Sequence, residues 1–547
     1  MADALILAVS PMQSRYDCVV IGGGHNGLVC AATLARGGRS VLVLEASTHV
    51  GGAARTREFA PGFRASVGAH LLHLMPEELL RELKLEAHGL EWAAQGMSTT
   101  ALVPGGGGLV IGEPAGGHGM VRDGDHAGLG ATPGLSAADA EAYSMYAARM
   151  RRFATALAPI FSRVPPRLGT TDWHDRLGLL RIGWRIRRLG RRDMRELLRI
   201  GGMNVHDLLE EHFDSAVLKG ALGFDAVLGA NFGPRSPGTV LTLLYRLAAE
   251  SADSHGLSQP KGGMGALCDA LARTASAAGA TIRTGAAVAN ILVDGDRASG
   301  VVLESGERIG AHSVISSADP KTTFLRLLGT RYLDTGFVRR VNHVRSRGLA
   351  AKLHLALKAV PVFSGVNEAN LRGRLLIAPS LQHIEHAYND AKYGEFSQAP
   401  VMEITVPTMN DPTLAPAGHH VLSAIVQYAP YALKEGWNGG RQRFMDTVLD
   451  ALEGFSPGLR GTIVGAELLT PVDMEHEFRI SGGHWHHGDL AFDQFLMIRP
   501  VPGAAQHRTP VDGLFLCGAG CHPGGGVMGI AGRNAAQQIL NLNRKSP

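Results

Sequence analysis

Three glycines and one glutamate near the amino terminus have the spacing of a dinucleotide-binding site. Gly22, Gly24 and Gly27 form a G-x-G-x-x-G sequence, and Glu45 follows 21 residues after Gly24. The first glycine allows a tight turn, the second lets backbone approach a pyrophosphate, and the third lets a helix pack closely on a strand. A carboxylate at position 45 bonds ribose hydroxyls and repels a 2′-phosphate. The spacing therefore predicts a site for a dinucleotide that lacks a 2′-phosphate.

The flanking sequence supplies the elements that must position these residues. Residues 16–21 (YDCVVI) and 40–44 (SVLVL) are short apolar runs typical of buried strands, and residues 28–35 (LVCAATLA) have helical composition. This β-α-β order is the context in which the glycine spacing becomes specific, because the helix N-terminus offers free N–H groups to the phosphates. A glycine-rich turn without a ligand is the alternative, which the complete unit disfavours.

A second glycine pair distinguishes between dinucleotides. Gly51 and Gly52 follow Glu45 by six and seven residues and precede Arg55. Small residues here keep side chains away from a cofactor that extends beyond its pyrophosphate, as in FAD-binding proteins of the glutathione-reductase superfamily. NAD-binding Rossmann domains generally lack this pair. The sequence therefore favours FAD over NAD as the tightly held cofactor.

The remainder of an FAD-binding domain is expected later in the chain. Residues 264–278 predict a helix, and residues 281–316 alternate strand-like runs with turns, with Val288 placed near the adenine. Residues 514–517 (LFLC) are typical of a short strand, and a glycine-rich turn and helix follow over 518–536. Such a turn suits the ribityl and ring portions of a flavin, since its N–H groups stabilise negative charge on the reduced ring.

Several other chemistries have no support in the sequence. There is no second G-x-G-x-x-G between a strand and an acidic residue, so we expect no separate pyridine-nucleotide domain. No C-x4-C pair follows the first motif, as a redox-disulfide reductase would need. Cys517 and Cys521 have C-x3-C spacing, for which small-residue packing and redox pairing are both open. No Walker loop or G-x-S-x-G indicates hydrolysis.

The 24 histidines provide the candidates for acid–base chemistry. The HWHH run at 484–487 matches no zinc-ligand spacing, so we expect no metal site. His484 and His487 are candidates for a substrate pocket or for flanking the flavin. His70 and His522 lie beside glycines near the expected flavin, which makes them candidate catalytic residues; ordinary polar packing is the alternative for both.

Composition and charge narrow the class of protein. The chain has 547 residues, 45% hydrophobic and 19% charged, which is ordinary for a folded protein with a large core. A net charge of +4 over this length does not indicate a nucleic-acid partner. Five scattered cysteines do not form a secreted disulfide framework, and no apolar run reaches the length of a membrane span. We expect a cytoplasmic protein, or a mitochondrial one if the source is eukaryotic.

One basic segment suggests that the protein contacts a membrane surface. Residues 177–200 contain eight arginines and two acidic residues, with apolar residues at helix-like intervals. A basic amphipathic segment can lie on an anionic membrane face. A pair of surface helices in a cap domain is the alternative.

The glycine-dense segment 105–134 is expected to form a surface hairpin or insertion.

The chain resembles the phytoene desaturase-related FAD/NAD(P)-dependent oxidoreductases over nearly its whole length. The resemblance is carried by residues 16–70, 179–198, 226–239, 259–267 and 513–536. It implies two lobes, with FAD extended through one and a mostly apolar tunnel in the other. It also implies the residues that hold the adenosine and pyrophosphate, Gly22, Gly24, Gly27, Glu45, Gly51 and Gly52, and those along the ribityl chain and ring, Gly518, Ala519, Val527 and Met528. Cys521 departs from the small residue or threonine expected there.

These observations predict an α/β fold: a Rossmann-like FAD-binding domain with an interleaved α+β substrate domain. The first is assigned to residues 16–104, 256–320 and 495–547, and the second to residues 105–255 and 321–494. The predicted function is that of an FAD-dependent dehydrogenase or desaturase acting on a lipophilic, isoprenoid-like substrate. A flavin-dependent isomerase or saturase and a non-catalytic FAD-bound scaffold are the alternatives. The electron acceptor and the oligomeric state cannot be inferred from sequence.

Overall fold

A computed structural model describes residues 15–112, 135–250 and 256–543. Most of the glycine-dense segment predicted as a surface insertion, residues 113–134, therefore lies outside the described residues. The strands are β1 (Arg15–Ile21), β2 (Val41–Leu44), β3 (Thr56–Ala60), β4 (Phe63–Ser66), β5 (Trp92–Ala94), β6 (Thr99–Leu102), β7 (Gly108–Ile111), β8 (Gln259–Pro260), β9 (Thr281–Arg283), β10 (Val288–Asp294), β11 (Arg297–Leu303), β12 (Arg308–Ser316), β13 (Ala350–Leu357), β14 (Arg374–Ile377), β15 (Val401–Thr405), β16 (His420–Gln427), β17 (Ile463–Leu469) and β18 (Leu514–Leu516). The helices are α1 (His25–Arg36), α2 (Glu77–Glu82), α3 (Ala137–Ser162), α4 (Trp173–Arg188), α5 (Gly190–Ile200), α6 (Val205–Glu210), α7 (Ala216–Val227), α8 (Thr239–Glu250), α9 (Met264–Ala277), α10 (Thr335–Asn342), α11 (Glu368–Leu371), α12 (Leu381–Lys392), α13 (Trp437–Phe455), α14 (Pro471–Phe478) and α15 (Ile530–Asn543).

The first large sheet brings the two glycine-rich segments to one edge. Its parallel strands are β9, β2, β1, β12 and β18, and β11 and β10 continue the sheet in antiparallel order. Ligands of open α/β sheets bind outside the carboxyl ends of the strands. Here those ends lead into the turns that carry Gly22, Glu45, Ser317 and Gly518. The predicted α/β fold with a Rossmann-like FAD-binding unit is confirmed.

Long helices cover one face of this sheet, and a segment of short helical turns that includes α10 covers the other. Helices α1, α9 and α15 pack on one face through residues such as Leu28, Leu267 and Ile539. The side chains of the opposite face, including those of β10 and β11, share a core with the segment 322–344, which includes Phe324 and Phe337. The core of this unit therefore extends beyond residue 320, where its second piece was predicted to end.

The second large sheet has one apolar and one polar face. Its strand order is β17-β13-β16-β15-β14-β6-β7. Leu353 and Ile404 belong to the face that packs against α13. Lys352, Glu403 and Arg374, each next to an apolar neighbour in sequence, share the opposite face because side chains alternate along a strand. The sheet also contains β6, which had been predicted within the first domain (16–104).

A helical layer completes the substrate-domain side. Helices α3, α6, α7, α8 and α12 share one core with Leu376 of the second sheet. Helices α4 and α5 correspond to the pair predicted over residues 177–200. No helix in residues 15–112, 135–250 and 256–543 is long and apolar enough to cross a bilayer.

Candidate active site

One cavity of about 630 Å³ lies between the carboxyl edge of the first sheet and the polar face of the second. It is lined from one side by the turns after β1, β2, β12 and β18, and from the other by β15, β16 and α8. Nine of the twelve predicted cofactor-binding residues line it: Gly22, Gly24, Glu45, Gly51, Gly52, Arg55, Val288, Ala519 and Val527.

The N-terminus of α1 opens into this cavity without a capping side chain. Its N-cap is Gly24, which has no side chain to cap the helix, and its first turn contains no acidic residue. His25 and Asn26 also line the cavity. The unpaired N–H groups and the positive end of the helix dipole therefore face open space, which is the arrangement that binds a phosphate.

The glycines of the first motif have separate structural tasks. A Cβ atom at Gly24 would meet no atom within 4 Å, so it would project into the cavity. A Cβ atom at Gly27 would instead collide with the carbonyl oxygen of Gly22, which explains why Gly27 does not line the cavity. Gly22 has φ +96°, a conformation that other residues rarely adopt. Gly24 therefore leaves room for a ligand, whereas Gly27 lets α1 pack on β1.

Glu45 and the second glycine pair shape the adjacent wall. The carboxylate of Glu45 accepts hydrogen bonds from the backbone N–H groups of Gly23 (2.6 Å) and Ser47 (2.8 Å), so its orientation is fixed at the rim. Gly51 has φ +112°, and the loop it begins leads to Arg55. The Arg55 guanidinium forms an ion pair with Glu477, while its Nε is buried without a partner among the described residues.

The carboxyl-terminal glycine-rich segment only partly follows the sequence prediction. Ala519 and Val527 line the cavity, but Gly518 and Met528 do not. Gly518 is packed so closely on the main chain of Ser317 that a side chain would collide with it. The Met528 sulfur lies 3.3 Å from the Tyr245 hydroxyl inside the helical core, and that hydroxyl donates to the main-chain oxygen of Gly525 (2.7 Å). Ser317, which follows β12 and lines the cavity, was missed, although its place after a predicted strand was a usable signal.

His70 lies at the cavity, as predicted, but both of its ring nitrogens are occupied. Glu403 is an acceptor only, so His70 Nε2 must donate to it (2.8 Å), which leaves Nδ1 to accept a hydrogen bond from Lys352 Nζ (2.7 Å). Burial and the nearby Lys352 charge lower the pKa of His70 to about 4. His70 is therefore a neutral link between Lys352 and Glu403.

The Glu403 carboxylate stays ionised in this buried place. Burial raises its pKa, but the Arg374 guanidinium and the hydrogen bond from His70 outweigh burial and hold the pKa well below its usual range. Arg374 is 1% exposed and also bonds Asp225 (2.6 Å), which lies 3.6 Å from Arg246. Glu403 and Arg246 line the cavity. A series of alternating charges thus runs behind the cavity wall, from Glu403 through Arg374 and Asp225 to Arg246.

Replacing Lys352 with methionine is expected to remove a pH dependence of stability. Burial lowers the pKa of Lys352 from 10.5 to about 7. The unfolded chain therefore binds more protons than the folded one between these values, so the free energy of unfolding rises with pH across that window. The rise from this group between pH 7 and pH 9 is about 2–3 kcal/mol.

Melting temperatures measured across this pH window test the expectation. The melting temperature of Lys352→Met, relative to that of the wild type, should fall as pH increases. Lys434→Met, which removes an exposed lysine paired with Glu395, is the control and should show no such trend. A constant difference for Lys352→Met would mean that Lys352 keeps an ordinary pKa.

Other histidines around the cavity differ in their partners. His73 lines it, and its Nδ1 is buried without a partner among the described residues. Burial, reinforced by the Arg246 charge, lowers the pKa of His73 well below its usual value. His487 also lines the cavity with an unpartnered Nδ1, whereas His484 lies behind it and hydrogen-bonds Asp489 (2.9 Å). His484 therefore does not contact the cavity, and its ring is held by Asp489 behind the cavity wall.

His522 does not reach the cavity. Its ring nitrogens face the main-chain carbonyl oxygens of Ile160 (2.8 Å) and Leu496 (3.2 Å), and burial lowers its pKa to about 4. The structure therefore gives this candidate catalytic residue a role in holding α3 to the carboxyl-terminal segment. Cys517 and Cys521 are buried free thiols, which supports packing over redox pairing. No group of three or more potential metal ligands occurs in the described part of the chain.

The cavity fits the predicted cofactor on three observations. The N-terminus of α1 lacks a side-chain cap, and Gly24 leaves open space in front of it. The wall also carries buried polar atoms that have no partner in the described part of the chain, including His25 Nε2 and Asn26 Oδ1. Gly24 would meet the pyrophosphate of FAD, Glu45 and Val288 would meet its adenosine, and Ala519 and Val527 would meet its ribityl and ring portions.

Comparison with known proteins agrees with this assignment. The family model for flavin-containing amine oxidoreductases matches residues 27–540. The chain is 35% identical to pyridine nucleotide-disulfide oxidoreductase domain-containing protein 2 of Rattus norvegicus, over 97% of this chain and 94% of that protein. It is 27% identical to a neurosporene-forming phytoene desaturase of Cereibacter sphaeroides, over 56% of this chain and 58% of the relative.

A solved structure of a redesigned putrescine oxidase has a TM-score of 0.60 at 16% identity, covering 98% of this chain and 100% of that one. Structural similarity at so low a sequence identity shows that the two proteins share a fold and nothing further. The resemblance to the phytoene desaturase-related oxidoreductases, which the sequence motifs predict, is confirmed. The chain therefore belongs to the flavin-containing amine oxidoreductase family and is an FAD-dependent oxidoreductase.

Proposed function

We propose that the protein is a dehydrogenase or desaturase that moves hydride from a C–H bond of a lipophilic substrate to FAD, with isoprenoids as the first candidates. The observation that carries the proposal is the continuity of the cavity. The space in front of the dinucleotide-binding turns extends without interruption to a wall that contains Leu71, Leu74, Leu228 and Ile425. The phytoene desaturase among its relatives supports the choice of substrate class.

Bound FAD supplies the hydride acceptor, and the residues of the chain orient the substrate and exclude water. Apolar side chains such as Leu74 and Leu228 hold a hydrocarbon without directional contacts. His73 Nδ1 is our candidate acceptor for the second proton, because the ring is neutral and this atom has no partner among the described residues. His70 has no free nitrogen for that task and instead fixes the position of Glu403.

Amine oxidation is the second candidate, because the family is named for it. An ammonium substrate would need a carboxylate that is not already neutralised. Glu45, Asp319, Glu403 and Glu477 line the cavity, and Glu403, which lies beside Ile425 of the apolar wall, is paired with Arg374 and bonded by His70. This pairing favours an uncharged group over a cationic one beside Glu403.

The experiment is anaerobic mixing of the purified holoprotein with a panel of terpenes, carotenoid precursors and primary amines, with the visible flavin band as the readout. We expect bleaching by one or more isoprenoids and a product lighter by two hydrogen atoms. Reoxidation by oxygen and by a quinone then identifies the acceptor. A product of unchanged mass would indicate isomerisation instead, bleaching by amines alone would indicate an amine oxidase, and a flavin that no reductant can reduce would indicate a scaffold.

A further inference from the structure

Helix α4 contributes no buried residue to the protein. It spans 16 residues, yet every one of its side chains is at least partly exposed. Trp173, Leu180 and Trp184 are 62%, 69% and 65% exposed, which is unusual for large apolar side chains. Burying these side chains against another surface would remove apolar area from water, and residues 15–112, 135–250 and 256–543 supply no surface that covers them.

The exposed apolar residues share one side of the helix. The exposed Trp173, Leu180 and Trp184 follow one another at spacings of seven and four residues, with the partly exposed Leu177 between the first two, which keeps all four within a single narrow stripe. The opposite side carries Ile182 and Ile186, and Ile186 packs against the helical core of the protein. The stripe therefore points away from the protein.

Arginines border this stripe on both sides. Arg176 and Arg187 lie along one border, and Arg181, Arg185 and Arg188 lie along the other at helical spacing. None of these five forms an ion pair with a carboxylate in the part of the chain that the structure describes. Residues 173–200 hold nine arginines and three acidic residues, an excess of positive charge larger than the +4 of the whole chain.

We propose that α4 docks on an anionic lipid surface, with the Trp173–Trp184 stripe in the headgroup–acyl boundary and the flanking arginines at lipid phosphates. An apolar stripe between two basic borders matches a bilayer surface, which offers an apolar layer beneath a plane of negative charge. A second copy of the chain fits poorly, because it would place one arginine cluster against another. A nucleic acid would pair with the arginines but leave the stripe in water.

The test uses purified holoprotein and sedimentation with vesicles of phosphatidylcholine alone or with added phosphatidylglycerol. We expect binding to the anionic vesicles that weakens as salt is raised. Arg185→Gln/Arg187→Gln/Arg188→Gln should weaken it by on the order of 100-fold, at about fivefold per arginine. Trp173→Ala/Trp184→Ala should weaken it by roughly tenfold or more through lost apolar burial.

Matched variants separate this surface from general charge. Arg64→Gln/Arg339→Gln/Arg340→Gln removes three exposed arginines elsewhere and should bind vesicles as the wild type does, as should Tyr393→Ala, which removes an exposed aromatic ring. Flavin content should be unchanged in all four variants, and hydrogen exchange should slow over residues 173–188 when vesicles are present. Equal binding to neutral vesicles, unchanged binding by the arginine variant, or binding to duplex DNA that the tryptophan variant leaves intact would overturn the proposal.

Discussion

Gly24→Val is expected to give a folded protein that does not retain FAD. Gly24 has φ −69° and ψ 168°, an extended conformation that valine adopts readily, and its Cβ would meet no protein atom within 4 Å. The new side chain would therefore occupy the space in front of the α1 N-terminus without straining the fold. Loss of two charge-assisted hydrogen bonds from those N–H groups alone would weaken binding by about 100-fold or more.

The ratio of visible flavin absorbance to protein in the purified variant measures this effect, and titration with FAD measures the residual affinity. Because bound FAD stabilises only the folded state, the melting temperature of Gly24→Val should equal that of FAD-stripped wild type. Gly439→Val, on the exposed side of α13 where a Cβ also meets no atom, should keep full flavin content. Gly27→Val should lose the folded structure and, with it, the bound flavin. Full flavin retention by Gly24→Val would refute the placement of the pyrophosphate.

The part of the site that sequence could predict is the part built from neighbouring residues. Gly22, Gly24 and Glu45 belong to one β-α-β unit, so their spacing along the chain already determines their spacing in space. The fold class could be predicted for the same reason, because the β-α-β unit is continuous in the sequence. The second glycine-rich segment is longer and less regular, and which of its residues face the cavity depends on its turns. Met528 and His522 were therefore predicted at the cavity but point into the helical core.

The charged network could not be predicted, because its members come from distant strands. His70 and Glu403 are 333 positions apart, and His70 and Lys352 are 282 apart. Each did leave a signal: Lys352 interrupts AAKLHLAL and Glu403 interrupts VMEIT, both otherwise apolar strand sequences. A charged residue in a strand that is buried on both faces requires a partner. Only the strand order identifies which partner that is.

Arg374→Met is expected to be the most destabilising substitution in this network. Arg374 is almost fully buried and contacts Glu403 and Asp225, so its removal leaves one buried carboxylate with only His70 and the other with only Arg246. Removing one partner of a buried ion pair costs about 3–5 kcal/mol, because the remaining charge is uncompensated. Arg81→Met is the control: it removes an exposed arginine paired with Glu77 within α2 and should cost less than about 1 kcal/mol.

A double-mutant cycle separates loss of charge balance from loss of packing. If the cost of Arg374→Met arises from the unpaired carboxylate, then neutralising that carboxylate with Glu403→Gln should recover part of the stability. Urea unfolding and melting temperature of the two single variants and the double variant should therefore show an interaction of about 1–3 kcal/mol. Strict additivity would mean that Arg374 stabilises the protein through its packing against Phe224 and not through its charge. Recovery would instead explain why an arginine occupies an otherwise apolar strand: it keeps Glu403 ionised at the cavity wall.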